Sequence, residues 1–323
     1  MKSPRVIQIA AALLALTFLL RSPSLAQEHK HAPPQDAASL KLSTDLVSLS
    51  VTVTDQKRRA ITGLRREDFK VYENGVEQPL SFFSAEEAPV CWGIVLDRSG
   101  SMAEMIRDVY RAAVHVVDEG TEEDETFIVT FNKNVELGAD FISDKHRLQN
   151  SILGLRADGG TALWDAINFA LDHLKRAKHR KKVLVVITDD EDNSSRIKFR
   201  ELIERAEEAN VLIYPVGMFE SIGMFRLEMS GGGPRVELEK LAEVTGARAH
   251  FPTNVEQCQS TMREIASEVS HQYSVGYYPN NSKRDGKWRN IQVVTGQGEG
   301  KARLTARTRA GYYAPKGNEM NGT

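Results

Sequence analysis

Residues 90–101 read VCWGIVLDRSGS, an apolar run without polar alternation that passes directly into a carboxylate, two hydroxyls and a glycine. A run of that kind is a strand buried on both faces, as in a parallel sheet covered by helices. FIVTF at 127–131, VLVVIT at 183–188 and VLIYPVGM at 211–218 have the same character. Segments of helical period alternate with them at Ala103–Glu119, Lys145–Leu155, Ala162–Ala177, Ile197–Ala209, Val236–Val244 and Val255–His271. In the third of these, Leu163, Ile167, Ala170, Leu171 and Leu174 share one face. Thr253 to Glu256 has the spacing of a capping box for the last. Residues 88–272 therefore predict a doubly wound, Rossmann-like α/β domain.

The flanks on either side follow a different rule. From Asp45 to Thr54, Val47, Leu49, Val51 and Val53 alternate with Ser48, Ser50, Thr52 and Thr54, the pattern of a half-buried strand. Phe69–Tyr72 and Val76–Phe82 enclose Asn74-Gly75, the pair that best tolerates positive φ, so a tight hairpin is expected there. β character returns after Gln272 in QYSVGYYP, WRNIQVVTG and ARLTART. Residues 41–87 and 273–315 thus form N- and C-terminal β regions, and neither has enough strands for a two-sheet core. Pooled, they approach the seven or so strands of a β-sandwich into which the α/β domain is inserted. The other arrangement is two separate β caps flanking that domain.

At the N-terminus, Lys2 and Arg5 precede the apolar run Val6–Leu20, and Ser24-Leu25-Ala26 supplies a small-x-small cleavage site. Residues 1–26 read as a signal peptide, residues 27–40 as a polar linker and residues 316–323 as a frayed tail. Secretion, to the periplasm or the exterior, is the expected location, with no transmembrane anchor after cleavage. Residues 1–26 contain Lys2, Arg5 and Arg21 but no acid, so cleavage moves the formal charge from −2 to −5. A chain of that sign has no global electrostatic reason to bind nucleic acid or an anionic membrane. With 41% hydrophobic and 27% charged residues in 323, overall disorder, collagen and a multi-span membrane protein are excluded. Two cysteines in a chain of this size do not make a disulfide scaffold. Cys91 at the start of the central strand and Cys258 in a helix beginning at its far edge are expected to remain unpaired.

The chemistry concentrates at the carboxyl ends of the buried strands, where open α/β sheets bind ligands. Asp97-Arg98-Ser99-Gly100-Ser101 follows the first strand, Asp158-Gly159-Gly160-Thr161 opens a helix, and Thr188-Asp189-Asp190 ends VLVVIT. Oxygen donors without His or Cys suit a hard divalent cation, Mg²⁺ first, with Mn²⁺ or Ca²⁺ as substitutes. The plainer reading of Ser and Asp after a strand is helix capping.

These three loops, in this order, resemble the metal-ion-dependent adhesion site of the von Willebrand factor type A domain, over about 185 residues from Pro89 to Tyr273. The resemblance implies Ser99, Ser101 and Thr161 as direct metal ligands, and Asp97 and Asp189 as carboxylates that bind the ion directly or through water. It also implies a protein partner that presents an Asp or Glu carboxylate, hence a binding module and not an enzyme. One departure is Asp190, where the family has glycine, followed by Glu191 and Asp192; a solvated acidic loop is the plainer account of it. The flanks GLRREDFKVYENGVEQPLSFFS, QYSVGYYP, DGKWRNIQV and ARTRAGYYAP resemble the secreted bacterial von Willebrand factor A-related proteins abundant in acidobacteria. Alternatives are an assembly protein whose metal only locks the loops, and a metal-dependent hydrolase.

Other features carry less. Lys175–Lys182 is a basic run at a helix end, where exposed carbonyls favour cations. Gly231-Gly232-Gly233-Pro234 lacks the Lys-Ser or Lys-Thr of a phosphate loop. Tyr277, Tyr278, Trp288, Tyr312 and Tyr313 are expected as strand packing. His115, His173 and His250 are scattered and form no catalytic set with a nucleophile.

Overall fold

The computed structural model describes residues 46–118, 120–151, 156–189, 192–218, 233–296 and 304–317. The signal segment, the linker, Asp190, Glu191 and most of the tail lie outside the described residues. The first flank holds strands β1 (Val47–Thr54), β2 (Phe69–Glu73), β3 (Val76–Gln78) and β4 (Leu80–Ser84). The α/β part runs β5 (Val90–Asp97), α1 (Ile106–Asp118), β6 (Glu125–Phe131), β7 (Val135–Ile142), α2 (Lys145–Ser151) and α3 (Leu163–His173). It continues with β8 (Lys181–Thr188), α4 (Phe199–Ala209), β9 (Leu212–Gly217), α5 (Pro234–Thr245) and α6 (Val255–Ser270). The second flank holds β10 (Tyr273–Tyr277), β11 (Trp288–Thr295), β12 (Thr305–Arg307) and β13 (Gly311–Tyr313).

The four apolar runs form a parallel array, β6-β5-β8-β9, and every residue of β5 is buried. One face packs Ile94, Leu96 and Val185 against Val109 of α1 and Met262 and Ile265 of α6. The other packs Val95, Phe127 and Leu184 against Ile167 of α3, Leu202 of α4 and Leu238 of α5. Helices on both faces make this a doubly wound, Rossmann-like α/β fold. The sheet is nonetheless mixed, because β7 joins β6 antiparallel at the edge. No apolar run announces β7: of its residues only Ala139 is buried, as befits an edge strand with one face in solvent. Cys91 and Cys258 are free and buried on opposite faces of the sheet.

The two flanks share two four-stranded antiparallel sheets, ordered β12-β1-β10-β4 and β13-β11-β2-β3. β1 pairs with β10 from Val47↔Tyr277 to Val51↔Tyr273, and β2 pairs with β11 through Val71↔Val293. Leu49, Val51, Val71, Tyr273, Val275 and Ile291 meet in one core between the sheets. The two-cap arrangement is thereby excluded: the flanks form one sandwich that carries the α/β part between β4 and β10. The hairpin turn sits at Asn74 (φ 49°) and Gly75 (φ 81°), both left-handed, as a two-residue turn of the I′ kind requires. The expected run Val76–Phe82 is split, with β3 paired to β2 in one sheet and β4 to β10 in the other. Pro79, which has no N–H to give a ladder, marks the crossing between sheets.

One local expectation shifts by a residue. Asn254, not Thr253, is the N-cap of α6: its side chain accepts from Gln257 N at 2.8 Å, while Gln257 Oε1 accepts from Thr253 N at 2.9 Å. The chain crosses between sandwich and sheet at the amino edge of β5 and the end of α6. There Val90 pairs with Lys181, and Gln272 Nε2 donates to Thr52 Oγ1 at 3.0 Å. Ser50 and Arg309 of the sandwich lie near Lys182 and Leu212, where β8 and β9 begin. The carboxyl ends of β5 and β8 point the other way.

Candidate metal centre

β5 ends at Asp97, whose side chain is fully buried. Its carboxylate accepts from Ser99 N at 2.7 Å and from Thr188 Oγ1, at the end of β8, at 2.5 Å. Tyr110 of α1 donates to the Asp97 carbonyl at 2.9 Å, tying the helix to the strand end. Ser99 occupies the N-cap of a short 3₁₀ turn, Gly100–Glu104, yet its side chain makes no capping hydrogen bond. The Ser99 Oγ instead lies 3.0 Å from Ser101 Oγ, which donates to Asp189 Oδ1 at 2.9 Å. Three of the five anticipated side chains are thus joined oxygen to oxygen, and Asp97 is tied to them through the Ser99 N–H.

The fifth, Thr161, is buried on the neighbouring loop. That loop is laced to the first: Gly100 N donates to Gly159 O at 3.1 Å and Asp158 N to Arg98 O at 2.9 Å. Arg98 adds ion pairs to Glu136 at 2.5 Å and Asp158 at 3.7 Å. Thr161 N donates to Asn193 Oδ1 at 2.9 Å, and Thr161 O accepts from Asn193 N at 3.0 Å. Gly160 is needed for this approach, since a Cβ there would lie 2.7 Å from Ser194 Oγ and 2.8 Å from Asn193 Oδ1. Residue 162, an alanine with no side-chain cap, is the N-cap of α3, so Thr161 is not spent on that role.

Thr188 and Asn193 are the supporting residues that sequence reasoning left without a role. Thr188 had a signal, a hydroxyl closing a strand beside Asp189. Asn193 had none, because its partner lies 32 residues away. Asp190 and Glu191 lie outside the described residues. Asp192, expected in a solvated loop, is half-buried: it accepts from Ser195 Oγ at 2.5 Å and from Trp164 N, in the first turn of α3, at 3.3 Å. Burial raises its pKa, opposed by those hydrogen bonds.

Among the described residues no three His, Cys, Asp or Glu side chains gather in a metal-holding group, so a cation here must rely on hydroxyls. The oxygens present meet that demand. Cis ligands of an octahedral ion at about 2.1 Å stand about 3.0 Å apart, and the Ser99–Ser101 and Ser101–Asp189 oxygens are 3.0 and 2.9 Å apart. Two carboxylates match the charge of a divalent cation.

The remaining features are structural. His173 packs against Phe127 and Phe141 and pairs with Asp140 at 2.8 Å. Lys182 Nζ donates to the Leu174 carbonyl, which follows α3, at 2.7 Å, and Lys175 pairs with Asp172 at 2.6 Å. Tyr277 is buried and Trp288 packs edge-on to Tyr313, whereas Tyr278 is half exposed. Gly231 and Gly232 lie outside the described residues, and Gly233 is the N-cap of α5. No helix among the described residues is long and apolar enough to cross a membrane.

A curated protein of Borreliella burgdorferi, described as an uncharacterized protein, is 31% identical over 103 residues, 31% of this chain and 30% of its own. The match therefore spans under a third of that relative. Solved structures of similar fold include a von Willebrand factor type A protein from Catenulispora acidiphila, at 12% identity and TM-score 0.47, over 86% of this chain and 76% of that one. Another is the vWF domain of the pilus tip protein Mfa5 from Porphyromonas gingivalis, at 12% identity and TM-score 0.46, over 57% and 96%. A third, proximal thread matrix protein 1 from the mussel byssus with a zinc-occupied MIDAS motif, is 15% identical at TM-score 0.48, over 61% and 49%. Residues 93–268, more than half of the chain, match the family model of the von Willebrand factor type A domain. With that match, the doubly wound sheet and the three oxygen-bearing loops at its carboxyl edge, the chain belongs to the von Willebrand factor type A domain family.

Proposed function

We propose that this protein is a cation-dependent protein-binding module of the adhesion type, working outside the cytoplasm after loss of its signal segment. Ser99, Ser101 and Thr161 would hold a divalent ion, Mg²⁺ by preference, with Asp97 and Asp189 supplying negative charge directly or through water. The observation that carries the reading is the pair of serine hydroxyls which, at a helix start, make no capping bond in the case of Ser99 and stand at octahedral-edge separations from their neighbours. A bound ion would offer its last ligand position to a carboxylate of the partner. The hydroxyl ligands add no further negative charge, so the ion would stay electrophilic enough for that purpose. Residues Asp97 and Thr188 fix the serine loop, and Asn193 fixes the threonine loop. The reaction class is binding, not catalysis. The flanks support placing the chain among the secreted bacterial von Willebrand factor A-related proteins.

Titration calorimetry tests the site. Asp97→Ala should weaken Mg²⁺ binding more than Ser99→Ala, because it removes charge as well as an oxygen. Unchanged affinity in both variants would sink the proposal. A pull-down from the native envelope should lose its partner in EDTA and regain it with Mg²⁺, and replacing one acidic partner residue should abolish capture. Retention after that replacement would point to the assembly role, in which the metal only locks the loops.

A further inference from the structure

Away from the metal loops, a cleft of about 1480 Å³ runs between the sandwich and the α5–α6 side of the α/β part. Its lining is mixed: Phe251, Ile291 and Val293 provide apolar surface, and the cations outnumber the acids. The acids are largely committed. Glu268 takes Arg307 at 2.7 Å and the Tyr214 hydroxyl at 2.7 Å, Glu239 takes Arg235 at 3.1 Å, and Glu243 takes Lys240 at 3.1 Å. Of the cations, Arg59, Arg235 and Arg307 are in ion pairs, but among the described residues Arg58, Arg248 and Arg263 make none. The half-buried Arg307 meets Glu268 off the axis of its N–H groups, so Nε, Nη1 and Nη2 make no hydrogen bond among the described residues, and neither does His250 Nε2. Burial, then the charge of Arg307 and that of Arg58, lower the pKa of Arg248, with Glu268 opposing. Like charges are crowded at one end of a cleft in a chain whose formal net charge is −2.

We propose that this cleft is a second binding site, for an acidic peptide segment whose spaced carboxylates pair with Arg58, Arg248, Arg263 and Arg307. Size and charge pattern choose that occupant. The volume exceeds the roughly 300–1,000 Å³ of small-molecule sites, which suits a length of chain. Carboxylates at Glu239, Glu243, Glu264 and Glu268 interrupt the basic lining and would repel a continuous polyanion such as a nucleic acid or a sulfated glycan. A peptide can place its acids at the arginines and neutral residues opposite the glutamates.

The probe is a fluorescein-labelled peptide of alternating glutamate and serine, followed by anisotropy in excess EDTA so that no metal-bridged carboxylate contributes. Wild-type protein should bind it saturably, and the double variant Arg58→Gln/Arg248→Gln should bind about tenfold more weakly. Arg58 and Arg263 are exposed, so Arg58→Gln and Arg263→Gln keep the test intact if the double variant does not fold; each should weaken binding by about threefold. No binding in EDTA, or unchanged affinity in all folded arginine variants, overturns the proposal. So does displacement of the peptide by heparin at a lower concentration than by unlabelled peptide, which would assign the cleft to polyanions. Because the assay excludes metal, its outcome is independent of whether the cation site is correct.

Discussion

The two cores of this molecule are built by opposite means. The five-stranded sheet comes from one continuous stretch, and apolar side chains pack both its faces, its buried carboxylates Asp97 and Glu125 standing at strand ends; Gly93 of β5 is so tightly enclosed that an added Cβ would lie 2.5 Å from Phe127. The sandwich is assembled from two stretches about 190 residues apart and carries a charge in its interior. Glu73, 3% exposed, accepts from the Tyr277 and Tyr312 hydroxyls at 2.9 Å each and faces the buried Arg289 at 3.9 Å. A continuous chain finds its register through short connections, whereas strands from distant flanks need another device. A buried carboxylate that only the correct pairing of β2, β10, β11 and β13 can satisfy penalises every shifted register, because a misplaced polar group stays unpaired.

The strongest way to break this comparison is to delete residues 273–323. The sandwich should lose the hydrogen-exchange protection of Val47–Val53, since the strands that β1 pairs with among the described residues are β10 and β12. Protection of Val183–Ile187 in the α/β sheet should persist; equal loss in both regions would show that neither folds without the other. Next in size, Glu73→Ala should cost about 2–5 kcal/mol in urea unfolding, because it strands the Tyr277 and Tyr312 hydroxyls, at about 1–3 kcal/mol each, while Arg289 keeps Asp285. A loss below about 1 kcal/mol would mean that the network contributes nothing to stability.

The junction between the regions supplies a pH test. Burial holds His250 at about 4 against an ordinary 6.5. Between those values the unfolded chain binds the proton that the folded chain refuses. Stability should therefore be full above pH 6.5 and fall as the pH drops toward 4, by up to about 3 kcal/mol. His250→Asn should flatten that segment of a melting-temperature profile, and an unaltered slope would refute the assignment. The smallest effects are those of close packing alone. Gly93→Ala should cost about 1–2 kcal/mol by overpacking, where the sandwich glycine Gly276, with Phe82 Cβ 3.2 Å from an added Cβ, should lose less. A reversed order in paired unfolding curves would show that the central strand has room to give.

The fold was legible where a residue's fate depends on near neighbours in sequence. Apolar runs such as VLVVIT identify strands buried on two faces, and Asn74-Gly75 identifies the β2–β3 turn; the alternation of Val47 to Val53 identifies a strand but not its full burial, since Thr52 and Thr54 are buried too, Thr52 accepting from Gln272. β7 escaped because an edge strand exposes residues such as Glu136, Leu137 and Gly138 and so imitates a loop. The N-cap of α6 reads one residue early in the sequence, at Thr253, because Thr253 and Asn254 both precede a Glu or Gln at the proper spacing, and backbone geometry selects Asn254.

For the site, the chain by itself named the candidate donors: Asp97, Ser99, Ser101 and Asp189 at or just after the ends of buried strands, and Thr161 just before a helix. Tertiary structure alone decided that Ser99 stands beside Ser101 and Ser101 beside Asp189, that Thr188 and Asn193 support them, and that the flanks interleave into one sandwich. The physical reason is range. Periodicity and turn chemistry are written in windows of a few residues, but the partner of Ser101 is 88 residues away and that of Glu73 is 204. Which distant groups meet is settled only when both cores close.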